Sequence, residues 1–255
     1  MRHSRLYPEP PHLELAVFHE VTPEERLLAE VCARLGAAGA VPTGYLEVIP
    51  EDLPFERPTD VGAEAEEIRV PAERVGGHLA GEVPGRRVLR AGFELRPLGL
   101  VAAGHNRGAA GRHPVALLTS AEKIESGWPG RRRGSAERVA AAVRSLMRDV
   151  CEAVGPLYAS LGVETTLPGP ERLAGTGDRL GDVFVAGRLF ARVPGLAGRL
   201  DGCFAAGHSE KWSGGTYYSS WGPFNDAGTT ARDPGLAARS GRLLGDAVAR
   251  FARER

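Results

Sequence analysis

The sequence predicts an α+β fold in a single domain, with a mixed or antiparallel sheet packed on a long, kinked central helix and on a C-terminal helix. Three observations predict it. Short runs of strand-forming residues and helical segments are intermixed without a regular βαβα rhythm, which favours α+β over a doubly wound sheet. Apolar residues recur every three or four positions from Val139 to Leu161, a stripe that must be packed against something. At 255 residues and 42% hydrophobic, the chain has enough apolar material to bury a substantial core. Residues 1–12 are Pro-rich and expected to form a loose arm. Residues 13–255 form the domain, with the basic loop 128–134 as the one candidate sub-boundary.

Leu13–Phe18 (LELAVF) is a strand. Thr22-Pro23-Glu24-Glu25 starts a helix, with Thr22 as N-cap, Pro23 in the first position and Glu25 closing a capping box. That helix buries Leu27, Leu28, Val31, Cys32 and Leu35 and stops at Gly36. Thr43–Ile49 is a strand ended by Pro50. Between Glu47 and Glu82 ten acidic residues face three arginines, and prolines punctuate a segment expected to be solvated loop with short extended pieces such as Glu67–Val70. Val88–Val101 reads as one or two strands around Pro97. A Gly-rich stretch, Ala102–Pro114, carries His105, Arg107 and His113. A strand, Val115–Leu118, follows it rather than the helix N-terminus that a phosphate loop exploits.

Thr119 or Ser120 caps a short helix, and Ser135 caps the longest one. Its inward stripe is Val139, Val143, Leu146, Met147, Val150, Cys151, Val154, Leu157, Tyr158 and Leu161. Gly155-Pro156 kinks or splits it, because Pro156 has no amide hydrogen to donate, and Gly162 ends it. A helical turn at 171–174 and a strand, Asp182–Ala186, follow; 187–200 is ambiguous around Pro194. Gly202–Trp212 and Thr216–Gly222 form a β-hairpin, with Gly214-Gly215 as the turn signal. The chain closes with a helix capped by Asp233, with Leu236, Leu243, Leu244, Ala247, Val248 and Phe251 inward.

Composition narrows the function classes. Lys+Arg and Asp+Glu both total 32, a balance that argues against nucleic acid as partner. Lys123 and Lys211 are the only lysines among these 32 cations, so the arginines reflect the coding bias of a GC-rich bacterial genome rather than phosphate recognition. Cys32, Cys151 and Cys203 are widely spaced among apolar residues and read as buried free thiols. No segment reads as a signal peptide or approaches the ~20 apolar residues of a membrane helix, so a cytoplasmic location is expected. No spacing of His, Cys, Asp and Glu suggests a metal, and none requires a cofactor.

Two short patterns touch on catalysis. Ser120-x-x-Lys123 matches the nucleophile motif of serine penicillin-recognising enzymes, and Lys211-Trp212-Ser213-Gly214 resembles their later box with an inserted Trp. The Ser-x-Asn or Tyr-x-Asn between them is missing, and an N-cap role accounts for Ser120 without chemistry. No catalytic residue is assigned.

The candidate site is the stretch His208–Asp226. Five aromatic residues fall within thirteen positions of a chain that is 6% aromatic. Both predicted hairpin faces mix rings with polar groups, and Tyr and Trp suit contact surfaces because each has an apolar body and a polar handle. Candidate binding residues are His208, Glu210, Lys211, Trp212, Tyr217, Tyr218, Trp221, Phe224 and Asn225. The expectation is a protein-binding, partner-neutralising (immunity-like) protein that uses this hairpin and the acidic segment. A small-molecule ligand stays open. The opposing class is a hydrolase or transferase using His208, Glu210 or Lys211.

Overall fold

The computed structural model describes residues 6–53, 65–81, 84–106, 113–124, 133–164, 169, 173, 182–205, 208–219 and 234–253. In chain order these form β1 (His12–Phe18), α1 (Glu24–Ala37), β2 (Val41–Pro50), β3 (Glu66–Arg69), α2 (Val75–Leu79), β4 (Arg86–Leu95), β5 (Gly99–His105) and β6 (Val115–Ser120). There follow α3 (Arg133–Val154), β7 (Tyr158–Val163), β8 (Asp182–Ala186), α4 (Gly187–Arg192), α5 (Leu196–Cys203), β9 (His208–Trp212), β10 (Gly215–Ser219) and α6 (Pro234–Arg253). The ten strands make one antiparallel sheet in the order β3-β2-β4-β5-β6-β1-β7-β8-β10-β9.

Alternation along each strand builds two cores on the two faces of this sheet. Leu13, Leu15 and Val17 of β1 point to one face, with Leu46, Phe93, Leu117 and Leu161. There they meet the expected inward residues of α1 and the stripe of α3 from Val139 to Val154. Ala16 and Phe18 point to the other face, where Tyr158, Val183, Val185 and Tyr218 pack against α4, α5 and α6. This second core buries Leu244, Ala247, Val248 and Phe251 of the last helix, as its periodicity predicts; Leu243 is partly buried, and the side chain of Leu236 lies outside the described residues.

The α+β class and the antiparallel sheet are as predicted, but the long kinked helix is not what forms. Helix α3 ends at Val154, and Tyr158–Val163 is a strand between β1 and β8. Gly155 sits at φ +59°, a left-handed conformation that terminates a helix and that glycine adopts without a Cβ penalty. Pro156 then removes the next amide. Beyond it Tyr158, Ser160 and Gly162 face α4–α6 while Ala159 and Leu161 face α3. The apolar positions 157, 158 and 161 fit a helical period equally well; strand pairing on both sides decides between them.

Smaller differences have similar causes. Helix α1 begins at Glu24, with Pro23 as a cap that makes no side-chain bond, so Thr22 does not cap it. Its acidic first turn is used across the chain: Glu24 Oε1 accepts the His113 amide at 3.0 Å and Glu25 accepts from Arg87 at 3.2 Å. The helix continues one residue past Gly36. Pro97 lies in the turn between β4 and β5, and β5 takes in the first part of the Gly-rich stretch, so Gly104 and His105 are strand residues. Residues 107–112 and the basic loop 131–132 lie outside the described residues, as does most of the expected turn at 171–174. Rather than hanging loose, the segment from residue 6 buries Leu6 and Pro8, and Tyr7 donates to Glu47 Oε1 at 2.7 Å. All three cysteines are buried free thiols, as expected.

One corner fastens the two halves of the sheet. Arg188, at the start of α4, makes a two-pronged pair with Glu20 at 2.8 and 2.7 Å and donates to the Gly155 carbonyl at 2.8 Å. It thereby ties the β1–α1 loop to the end of α3. Burial works to raise the Glu20 carboxyl, but Arg188, its own backbone amide and His19 outweigh that and hold it below the usual range. Arg188→Met takes the two-pronged partner away from that buried carboxylate. Such losses cost about 3–5 kcal/mol, and solvent reaching the partly exposed Arg188 end reduces this to about 2 kcal/mol. Urea denaturation checks it, and Glu20→Gln in the same background should recover most of the loss.

Candidate functional site

The hairpin forms as β9 and β10, at one edge of the sheet. Its turn is Ser213-Gly214, one residue earlier than the Gly-Gly pair, and Gly215 is already a strand residue paired with Trp212 and Ala186. A Cβ at Gly215 would lie 2.3 Å from the Val185 carbonyl oxygen and 2.6 Å from the Phe184 ring. The strand β9 begins at His208, because Gly202 and Cys203 finish α5. Phe204 therefore leaves the hairpin face and packs its ring on Tyr218 at 5.1 Å.

The rings lie inside. Tyr217 and Tyr218 are fully buried and Trp212 nearly so. Trp212 stacks on Tyr217 at 4.4 Å and on Phe184 at 5.9 Å, filling the space between sheet and α3. The ring faces at 212, 217 and 218 thus roof the two cores and are not turned outward. Burying each contributes about 2–3 kcal/mol. Trp221, Phe224 and Asn225 lie outside the described residues.

The polar residues among them reach solvent, on two opposite faces. Towards α3, Glu210 accepts from both Arg144 and Arg148, and His208 Nε2 lies 3.7 Å from the same carboxylate. The Arg144 guanidinium sits 5.5 Å over the Tyr217 ring and that of Arg148 5.4 Å over Trp212. Burial tends to raise Glu210, but Arg144, the Trp212 indole and Arg148 together hold it below the ordinary carboxylate range. Arg144 and Arg148 were not foreseen; both lie on the flank of α3 facing the hairpin, a position that a helical stripe does not reveal until its partner strand is known. On the opposite face Lys211 donates to Thr216 Oγ1 at 2.7 Å, 5.9 Å from the Phe190 ring centre. Tyr218 donates to Asp201 at 3.1 Å. A cleft of about 360 Å³ opens there, lined by Asp201, Phe204, Ala205, Ser209, Glu210, Lys211 and Thr216. Glu210 and Lys211 both border the cleft, but the Glu210 carboxylate is turned to Arg144 and Arg148 while the Lys211 amine is turned to Thr216.

The other motifs resolve separately. Ser120 Oγ accepts the Glu122 amide, the N-cap role. Strands β6 and β9 are five spacings apart in the sheet, on the order of 24 Å, so Ser120 and Lys211 do not meet. Burial, with the charges of His113, Arg87 and Arg90, lowers His105 to about 3, so it offers no charge to an anion. Among the described residues no group of three or more His, Cys, Asp or Glu is placed to hold a metal ion, and no helix is long and apolar enough to cross a membrane.

Beneath the hairpin lies a buried acid. Asp182, at the start of β8, accepts from the Tyr217 hydroxyl. Burial pushes its carboxyl up to about 7, against the opposing pull of Ser219, Tyr217 and Arg144. Burial and then Asp182 push the Tyr217 phenol far above its ordinary value.

No family model matches the chain, and no curated protein matches it. Among solved structures it is similar to the Pseudomonas aeruginosa T6SS protein PA0821, with 12% identity over 91% of this chain and 75% of that one, at a TM-score of 0.44.

Two outcomes follow from this geometry. The folded state holds the Asp182 proton up to pH about 7, whereas an unfolded Asp releases it near 4. The stability it contributes is thus complete below about pH 4 and lost as pH rises through 7. In urea titrations the stability of wild type relative to Asp182→Asn should fall across that window; a flat difference would refute the assignment. Gly215→Ala should cost about 2–3 kcal/mol through overpacking. Gly198→Ala, in α5 with nothing within 4 Å of its added methyl, should leave the urea midpoint level or raised.

Proposed function

We propose that this chain is a partner-binding protein of the neutralising, immunity-like kind, acting in the bacterial cytoplasm and meeting its partner at the β9–β10 hairpin. The observation that carries this reading is the pair Arg144 and Arg148. Both stack on buried rings and share the Glu210 carboxylate at the sheet edge, and Arg148 keeps 42% of its side-chain surface exposed. Guanidinium groups fixed in this way lose little freedom when a partner's anionic group arrives, which lowers the cost of association. The buried rings supply the rigidity and the charged rim supplies the contact.

The acidic segment adds a second charged surface at the far edge of the sheet, where Glu66 and Glu67 of β3 are exposed. Three buried thiols with no disulfide suit a reducing compartment. The alternative, a hydrolase or transferase, draws on the cleft beside Lys211. The engagement of the Glu210 carboxylate by Arg144 and Arg148, turned away from the Lys211 amine, weighs against it.

A neutralising role predicts that deleting the gene in its native host arrests growth, and that deleting the gene for the cognate harmful protein relieves the arrest. Normal growth of the single deletion counts against the reading. Complementation with Arg148→Glu or Lys211→Glu should lose protection while circular dichroism shows that each variant is still folded.

A further inference from the structure

We propose that the outer edge of β9 takes up an extended, acidic segment of the partner protein as an eleventh strand. This rests on the partner-binding reading above and adds how the partner is held. Strand β9 ends the sheet, and among the described residues nothing pairs with its outer side. The hairpin closes on Trp212 and Gly215 with two residues between, so the mutually bonded pairs are Trp212–Gly215, Glu210–Tyr217 and His208–Ser219. The amides and carbonyls of Ser209 and Lys211 therefore point away from β10, in position to continue the ladder.

The side chains of an added strand alternate between two sides, and each side of β9 offers something different. Towards α3, two guanidiniums share one carboxylate, which leaves a positive charge in excess. Each guanidinium carries more N–H donors than Glu210 occupies, and both are stacked in place before a partner arrives. An aspartate or glutamate of the incoming strand meets them there, whereas a lysine or arginine is repelled. On the opposite side the cleft of about 360 Å³ begins at Ser209 and Lys211, the same residues whose backbones face outward, and it accepts the alternate side chain.

Ladder bonds thus supply affinity, and the two sides supply selection. A second copy of this chain is the poorer occupant. Antiparallel pairing of two β9 edges keeps like faces together and sets one Arg144–Arg148 pair across the seam from the other. The edge is five residues long and carries an exposed lysine, features that discourage indiscriminate pairing and leave it to a matched segment.

The test titrates the full chain with a labelled nine-residue peptide alternating Glu and Thr and with its Lys–Thr counterpart, at low and high salt. The acidic peptide should bind about tenfold or more tightly than the basic one, with the gap narrowing at high salt. Ser209→Pro removes an outward amide and a hydroxyl at the cleft, and it and Arg148→Glu should each weaken binding about tenfold or more in a chain that circular dichroism shows still folded. An acidic peptide N-methylated at alternate amides keeps its charge and loses ladder bonds, so it should also bind weakly to the unaltered protein. Equal binding of the two charge types, no binding of either, or undiminished binding of the methylated peptide overturns the proposal. A dimer in light scattering that Ser209→Pro dissolves also overturns it, by making a second copy the occupant. If Ser209→Pro still protects the host while Arg148→Glu and Lys211→Glu do not, strand addition falls and partner binding at the hairpin stands. If all three protect, both fall.

Discussion

The pairing of β1 with β7 is the constraint on which the rest of the molecule depends. Six strands, β3 to β1, come from the first half of the chain, and four, β7 to β9, from the second. Among the described residues only the β1–β7 ladder, from Leu13–Val163 to Phe18–Tyr158, joins them into one sheet. The same corner carries the Leu157 amide to the Phe18 carbonyl at 2.8 Å and the Arg188 clamp on Glu20 and Gly155. Because α3 must end for β7 to begin, the left-handed Gly155 and the amide-free Pro156 are what allow the sheet to be continuous.

The hairpin hangs from the end of this sheet and is held from both faces. Towards α3, Trp212 and Tyr217 are clamped beneath two arginines; towards α5, Tyr218 is held by Phe204 and Asp201. A short two-stranded ribbon is marginal in water on its own. Here β8 and the ring stacks supply what it lacks. The result is a stiff edge strand with charge on both sides, and the stiffness is what makes its exposed groups suited to recognition.

Much of the architecture was legible in the sequence because local periodicity and burial agree wherever an element has one wet side. The first and last helices, the strands at 13–18, 43–49, 115–118 and 182–186, and the inward stripe of α3 show this. Legibility failed at Leu157–Leu161, where apolar residues fit both periods, and at Gly202–Ala205, where the end of α5 and the turn after it occupy what pattern alone assigns to a strand. In the candidate site the aromatic cluster was visible, but its direction was not. Mixed polar and aromatic faces suggested display, whereas each face turned out to have its own helical cover.

By itself the sequence determined the class of fold, the ends set by glycine and proline, the free thiols, and the crowding of rings near the carboxyl end. Those follow from short-range chemistry: missing amides, side-chain periods and composition. Only the tertiary structure decided that the rings face inward, that Arg144 and Arg148 frame Glu210, and that no strand among the described residues pairs with the outer backbone of Ser209 and Lys211. Each of these depends on which strand lies at the edge and which helix lies above it, and residues more than sixty positions apart set that through long-range pairing.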